Sequence, residues 1–301
     1  MPTEPYLAFS ASWPGPNSCG MAFSTDSNGS LTGVTDSWSY ENKSGVHGLA
    51  LSERDGQQLI YSADLSADIL WTHAVNRTTK KVHEVSRFPM NHDGMHPRHV
   101  AVHPNGQFLY VVMEADNSLA QFDLNPATGA VTHETIRHSL LPIGTPTHSP
   151  THQPLSSPNH SPLLTSSLPP CPTDGNTTEF WSAEVRLSPS ARYLWATARA
   201  KSKSTNTGFI SVFLLADDGH IVKKLFRVPT TTVGGIANAI SPAFWSDEYA
   251  AMTDYPDGYV QIWKMEGRRE GKDGVEYSTA RAVAKVDGGD GGCCANVIWY
   301  S

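Results

Sequence analysis

Along most of the chain, apolar residues alternate with polar or small ones in short runs, and Gly, Pro, Asn, Asp and Ser break the runs apart. A two-residue period points side chains to opposite faces, so the pattern predicts many short strands and no long helix. Four segments share one design: HGLALSERDGQQLIYSAD (47–64), RHVAVHPNGQFLYVVMEA (98–115), AEVRLSPSARYLWATARA (183–200) and ANAISPAFWSDEYAAMTD (237–254). Each opens with small apolar residues, passes a turn containing His-Pro, Ser-Pro or Asp-Gly, and enters a second strand rich in aromatics. Tyr61, Tyr110 and Trp195 hold one place in the first three.

The period of this design is about fifty residues. Tyr61 and Tyr110 are 49 apart, and Tyr110 and Trp195 are 85 apart, or 51 once the 34-residue stretch 145–178 is taken out. That stretch, rich in Pro, Ser, Thr and His, cannot bury a core and reads as a disordered or exposed-loop insert. Two further strand candidates follow each pair, for example ILWTHAV and KVHEVSRF after the first. Four strands per fifty residues is the size of a propeller blade. The segment before His47 supplies three strands (YLAFSA, GMAFSTD, SLTGVT), and the terminal ANVIWYS resembles an opening strand that would complete their blade. The expectation is one all-β propeller domain over 1–301 with about five blades, as a closed ring or an open arc. Gly48, Ala50, Ala101 and Ala239 on the first strands suit a crowded position near a central axis.

The repeat also registers the polar residues. His47 and Arg98 fall on one rim of neighbouring blades, at the start of the innermost strand. Glu114 and Arg199 fall on the same end, four residues after Tyr110 and Trp195. Two arginines, a histidine and a glutamate converging on one mouth read as an anion-binding and acid/base site. Arginine suits bidentate capture of carboxylates. A histidine near its reference pKa of roughly 6.5 can deliver a proton at neutral pH. Glu114 can orient either neighbour or act as the acid itself. Asp64, Asn238 and Asp254 read as turn or cross-blade hydrogen-bonding residues, and His73 and His83 as solvent-facing outer-strand residues.

The stretch NHDGMHPRHVAVHPNG (91–106) gathers four histidines, yet Pro97 and Pro104 forbid the helix that would bring them to one face. His103 belongs to a turn that Ser-Pro replaces in later blades, and His99 reads as a packing or loop residue. No metal site is expected there. A net charge of -7 argues against a nucleic-acid partner. No stretch has the roughly 20 apolar residues of a membrane span. Scattered cysteines (Cys19, Cys171, Cys293, Cys294) and an N-terminus without a secretory leader pattern suggest a cytoplasmic protein with free thiols.

SGVHGLAL, LIYSADLSADILWTH, HPRHVAVHPNGQFLYVVMEADN, LWATARA, GGIANAISPAFWSDEYAAMTD and NVIWY resemble the fungal 3-carboxy-cis,cis-muconate lactonizing enzymes, or carboxy-cis,cis-muconate cyclases. These belong to the lactonase, or 6-phosphogluconolactonase-type, superfamily of seven-bladed propellers. The resemblance implies a cofactor-free intramolecular lyase of the β-ketoadipate (protocatechuate) route, which closes a tricarboxylate to 3-carboxymuconolactone. It places the catalytic group on His47, Arg98, Glu114 and Arg199, with Arg98 and Arg199 binding substrate, no metal, and a homo-oligomeric assembly. It also implies about two further blades before YLAFSA, on the order of 100 residues. A lactone hydrolase on the same scaffold and a non-catalytic interaction platform are the competing functions.

Overall fold

The computed structural model describes residues 6–13, 18–54, 56–145, 179–201, 206–232, 239–255, 257–270, 274–288 and 295–299. Among the described residues, nineteen strands form five antiparallel sheets. The first has three strands, β1 (Leu7–Ala11), β2 (Cys19–Thr25) and β3 (Leu31–Ser39). Four four-stranded meanders follow: β4 (Val46–Arg54) to β7 (Lys81–Pro89), β8 (Pro97–Val102) to β11 (Val131–Ser139), β12 (Phe180–Leu187) to β15 (Ile221–Pro229), and β16 (Ile240–Pro242) to β19 (Gly274–Asp287). The innermost strands meet in the order β1, β4, β8, β12, β16, and among the described residues no contact of similar extent returns from β16 to β1. Among the described residues, the blades are thus joined one to the next along their inner strands.

The core lies between the sheets. Each gap between successive blades holds one apolar cluster, such as Leu59, Tyr61, Val100 and Phe122 between the second and third. Each such side chain stabilises the stack by about 1.5–3 kcal/mol when fully buried. The aromatics of the repeated second strand add a directed link. Tyr61 Oη donates to the Gly129 carbonyl at 3.0 Å, and Tyr110 Oη donates to that of Gly219, one blade further on in each case. Gly129 (φ 74°) and Gly219 (φ 95°) need left-handed backbone. A Cβ on Gly129 would also fall 2.3 Å from Leu59 Cδ1.

Two sequence expectations change. Residues 295–299 form no strand. The Trp299 indole N–H donates to the Ser241 carbonyl at 2.8 Å, and its ring meets Trp245 at 4.6 Å, so this segment packs on the last blade and does not complete the first. A local carbonyl and an aromatic neighbour satisfy the indole without long-range closure. His73 is buried, because β6 turns it into the gap beside Trp38, Tyr40 and Trp71. Asp64 is a turn residue, one of the two roles expected of it, and accepts from the Gly45 and Ala67 N–H groups and from Trp71 Nε1. Asp254 likewise accepts from Asp257 N, while Asn238 and the insert from residue 146 to 178 lie outside the described residues. Among the described residues, no helix is long and apolar enough to cross a membrane.

Two outcomes follow from the packing. Gly129→Ala should destabilise the fold by about 1–3 kcal/mol, and Tyr61→Phe by about 1 kcal/mol, read by urea unfolding. Burial, ahead of the charges of His83 and Arg87, pushes the His73 pKa from 6.5 down to about 4. The folded state then binds fewer protons than the unfolded state between those values, so stability should fall as pH drops from about 6.5 towards 4. His73→Leu should remove up to about 1.4 kcal/mol per pH unit from that slope.

Candidate active site

Three successive inner strands carry an extra residue at the same place. The register slips between Val46 and Gly48 in β4, between Pro97 and His99 in β8, and between Ser182 and Val185 in β12. A bulge re-aims the side chains at its own position. Here those residues are His47, Arg98 and the pair Ala183–Glu184. The second strands return to the same end, where Glu114 directly follows β9 (Phe108–Met113) and Arg199 stands at the end of β13 (Tyr193–Ala200). The inner strands are close here, since a Cβ on Gly48 would meet the Arg98 carbonyl at 2.5 Å and His99 Cα at 2.8 Å. No other residue fits, as the small first-strand residues led us to expect.

Arg98, Glu114 and Arg199 form one buried cluster. Arg98 Nε lies 2.7 Å from Glu114 Oε2 as an ion pair, although its N–H is not aimed as a hydrogen bond. Arg199 Nη2 donates to the same oxygen at 3.1 Å, and Arg98 Nη1 donates to the Ala183 carbonyl at 2.5 Å. Among the described residues, Arg199 Nε and Nη1 have no hydrogen-bond partner. Burial first, and then the charge of Arg98, pulls the Arg199 pKa down to about 10, which leaves it cationic at neutral pH. Its guanidinium also lies over the Trp181 ring, 5.2 Å from the centroid.

His47 stands beside this cluster, edge-on to Trp13 (5.0 Å) and to His99 (4.8 Å). Burial, followed by the charges of Arg98, His99 and Arg199, lowers its pKa to about 2. The imidazole is therefore neutral in the free site, contrary to the expectation of a near-reference value. Its Nδ1 is buried with no partner among the described residues.

Three residues of this site, His99, Glu184 and Trp13, were not picked out as functional from the sequence. His99 is not a loop residue: its Nδ1 lies 2.9 Å from Oε1 of the buried Glu184, whose Oε2 faces Arg186 Nη2 at 3.5 Å. Burial acts to raise the Glu184 pKa, and the pull of His99, Arg186 and Arg98 overrides it, holding the group below the usual carboxylate value. Aligning RHVAVHP with AEVRLSP sets His99 over Glu184, so the polar column was visible. Trp13 carried no repeat signal. His103 packs beside Tyr110, and the His96 carbonyl accepts from the Glu114 N–H at 2.8 Å. Among the described residues, no three His, Cys, Asp or Glu side chains are grouped to hold a metal.

Residues 21–234 match the family model described as "Lactonase, 7-bladed beta-propeller". The chain belongs to that family. It is 32% identical over 281 residues to the carboxy-cis,cis-muconate cyclase of Neurospora crassa, an alignment covering 93% of this chain and 67% of that one. It is 28% identical over 226 residues to muconate cycloisomerase 1 of Cutaneotrichosporon cutaneum, covering 72% of this chain and 50% of that one. Among solved structures, the periplasmic gluconolactonase PpgL of Pseudomonas aeruginosa shares the fold, with a TM-score of 0.61 at 16% identity, over 92% of this chain and 69% of that one.

In the free protein the His47 ring should stay neutral from pH 8 to below pH 4, as read by its imidazole nitrogen shifts. Arg98→Leu, which removes the nearest opposing charge, should raise the midpoint. A wild-type midpoint near 6.5 would contradict the burial described.

Proposed function

We propose that this lactonase-family chain closes 3-carboxy-cis,cis-muconate to 3-carboxymuconolactone without a cofactor. The observation that carries the reading is the buried cluster in which two arginines share Glu114 Oε2 while Arg199 keeps unshared donors beside a histidine. The substrate is a trianion. Arg98 and Arg199 hold its carboxylates, and Glu114 and the Ala183 carbonyl hold the arginines. One carboxylate oxygen is thereby fixed against the alkene, and such positioning contributes roughly 7–11 kcal/mol to an intramolecular step.

As the new C–O bond forms, the π electrons move to the carbon next to another carboxylate, and a proton must arrive there. His47 supplies it. Glu114 is engaged by both guanidiniums, which suits it to orienting them. The balance is trianion plus one proton to dianionic lactone, so His47 is recharged from solvent each cycle. A histidine held neutral by burial and by Arg98 becomes cationic when a trianion offsets those charges, so substrate binding itself loads the proton. This reading sets the chain in the protocatechuate branch of aromatic breakdown, in the cytosol, with a small tricarboxylate as its partner and a homo-oligomeric assembly.

Purified protein should bleach the ultraviolet absorbance of 3-carboxy-cis,cis-muconate. Arg98→Leu and Arg199→Leu should each lower kcat/KM at least about a hundredfold, by loss of a charge-assisted contact to the reacting carboxylates. No bleaching, together with hydrolysis of 6-phosphogluconolactone, would establish the lactone hydrolase instead. Tricarballylate, an unreactive tricarboxylate, should bind with uptake of up to one proton. That uptake shows as a binding enthalpy that depends on the buffer's ionisation heat, and it should vanish in His47→Asn.

A further inference from the structure

Two histidines meet at the rim, and one of them has a carboxylate. The His47 and His99 rings stand edge-on with centroids 4.8 Å apart, across the inner strands of the second and third blades. His99 Nδ1 lies 2.9 Å from Glu184 Oε1, on the inner strand of the fourth blade. A carboxylate on one imidazole nitrogen fixes the tautomer and leaves the other nitrogen free to take a second proton. The imidazolium so formed keeps a negative charge beside it. Among the described residues no carboxylate pairs with His47, whose Nδ1 is buried without a hydrogen bond.

The same pair leads to water. The His99 side chain is 16% exposed, whereas that of Glu184 is 3% exposed. Glu184 Oε2 faces Arg186 Nη2 at 3.5 Å, and the Arg186 side chain is 39% exposed. The line His47, His99, Glu184, Arg186 therefore runs along the inner strands from the rim to a wet end. The charged groups facing His99 are Glu184, Arg98 and Arg186, with His47 as its ring neighbour. Burial lowers the His99 pKa, Arg98 and Arg186 add to that, and Glu184 opposes it. His99 thus rests neutral and holds a second proton only in passing. Arg186 stays charged throughout and helps keep Glu184 ionised.

Building on the cyclase reading, we propose that His99, held by Glu184, is a positioning residue that passes each proton from solvent to His47. A proton from water adds to the His99 nitrogen not held by Glu184. That N–H bond breaks as the proton moves to His47, and His99 returns to its starting tautomer. The route leaves the mouth to the substrate, which lies across Arg98 and Arg199 while His47 is spent.

The test follows turnover of 3-carboxy-cis,cis-muconate by wild type, His99→Gln, His99→Ala, Glu184→Asp and Glu184→Gln. His99→Gln keeps the volume and should lower kcat about a hundredfold, with KM changed less than about threefold. His99→Ala should regain rate as imidazole is added near neutral pH. Pyrazole, a ring of like size that stays unprotonated there, should restore nothing. Glu184→Asp, which keeps the charge, should retain more activity than Glu184→Gln. An unchanged kcat in His99→Gln, or pyrazole serving as well as imidazole, would overturn the proposal. A measurement without substrate separates it from the cyclase reading. In the free protein, the His47 ring N–H should exchange with solvent at least about tenfold more slowly in His99→Gln than in wild type, as read by imidazole nitrogen NMR. Should wild type leave 3-carboxy-cis,cis-muconate unchanged, the cyclase reading fails. Slower exchange then still supports His99 as the route, and an unaltered exchange rate refutes it.

Discussion

Arg98 leaves the third blade at a bulge, lies against Glu114 of its own blade and donates to a carbonyl of the fourth, while its backbone crowds Gly48 of the second. One buried cation thus joins three blades at the narrow end of their wedge. Removing one partner from such a buried pair costs about 3–5 kcal/mol, because the other is left uncompensated. The same requirement explains the geometry of the mouth. The bulges repeated in β4, β8 and β12 bring a polar side chain to the rim at a position where a regular strand would alternate it away.

Further from the axis, stability comes from repetition. Each gap is filled by aliphatic side chains, and the aromatic of the second strand either bonds the next blade, as in Tyr61 and Tyr110, or packs into the gap, as in Trp195. The glycines receiving those bonds have left-handed backbone, and the space a Cβ would take is already occupied. A rigid outer stack allows the inner rim to hold four charged groups with little water.

The electrostatics of that rim divide the work. Burial, with the charges of Arg98, His99 and Arg199, keeps His47 neutral in the free protein. Glu114 and Glu184 neutralise the arginines in the free protein, so the cluster survives burial without a bound anion.

Strand order, blade period and the rim position of His47, Arg98, Glu114 and Arg199 were legible from the chain, because a propeller repeats one local pattern and residues of equal register occupy equal places. The sequence also contained the His99 over Glu184 column, though His99 was read there as a packing or loop residue. Only the tertiary structure decided that the bulges break the two-residue period, that His73 turns inward, and that Trp299 packs on the last blade. It also decided the protonation of His47, since a pKa depends on burial and on the charges of neighbouring blades, and neither is written in local sequence. Register is a property of the chain, whereas dielectric environment and contact between blades are properties of the assembled fold.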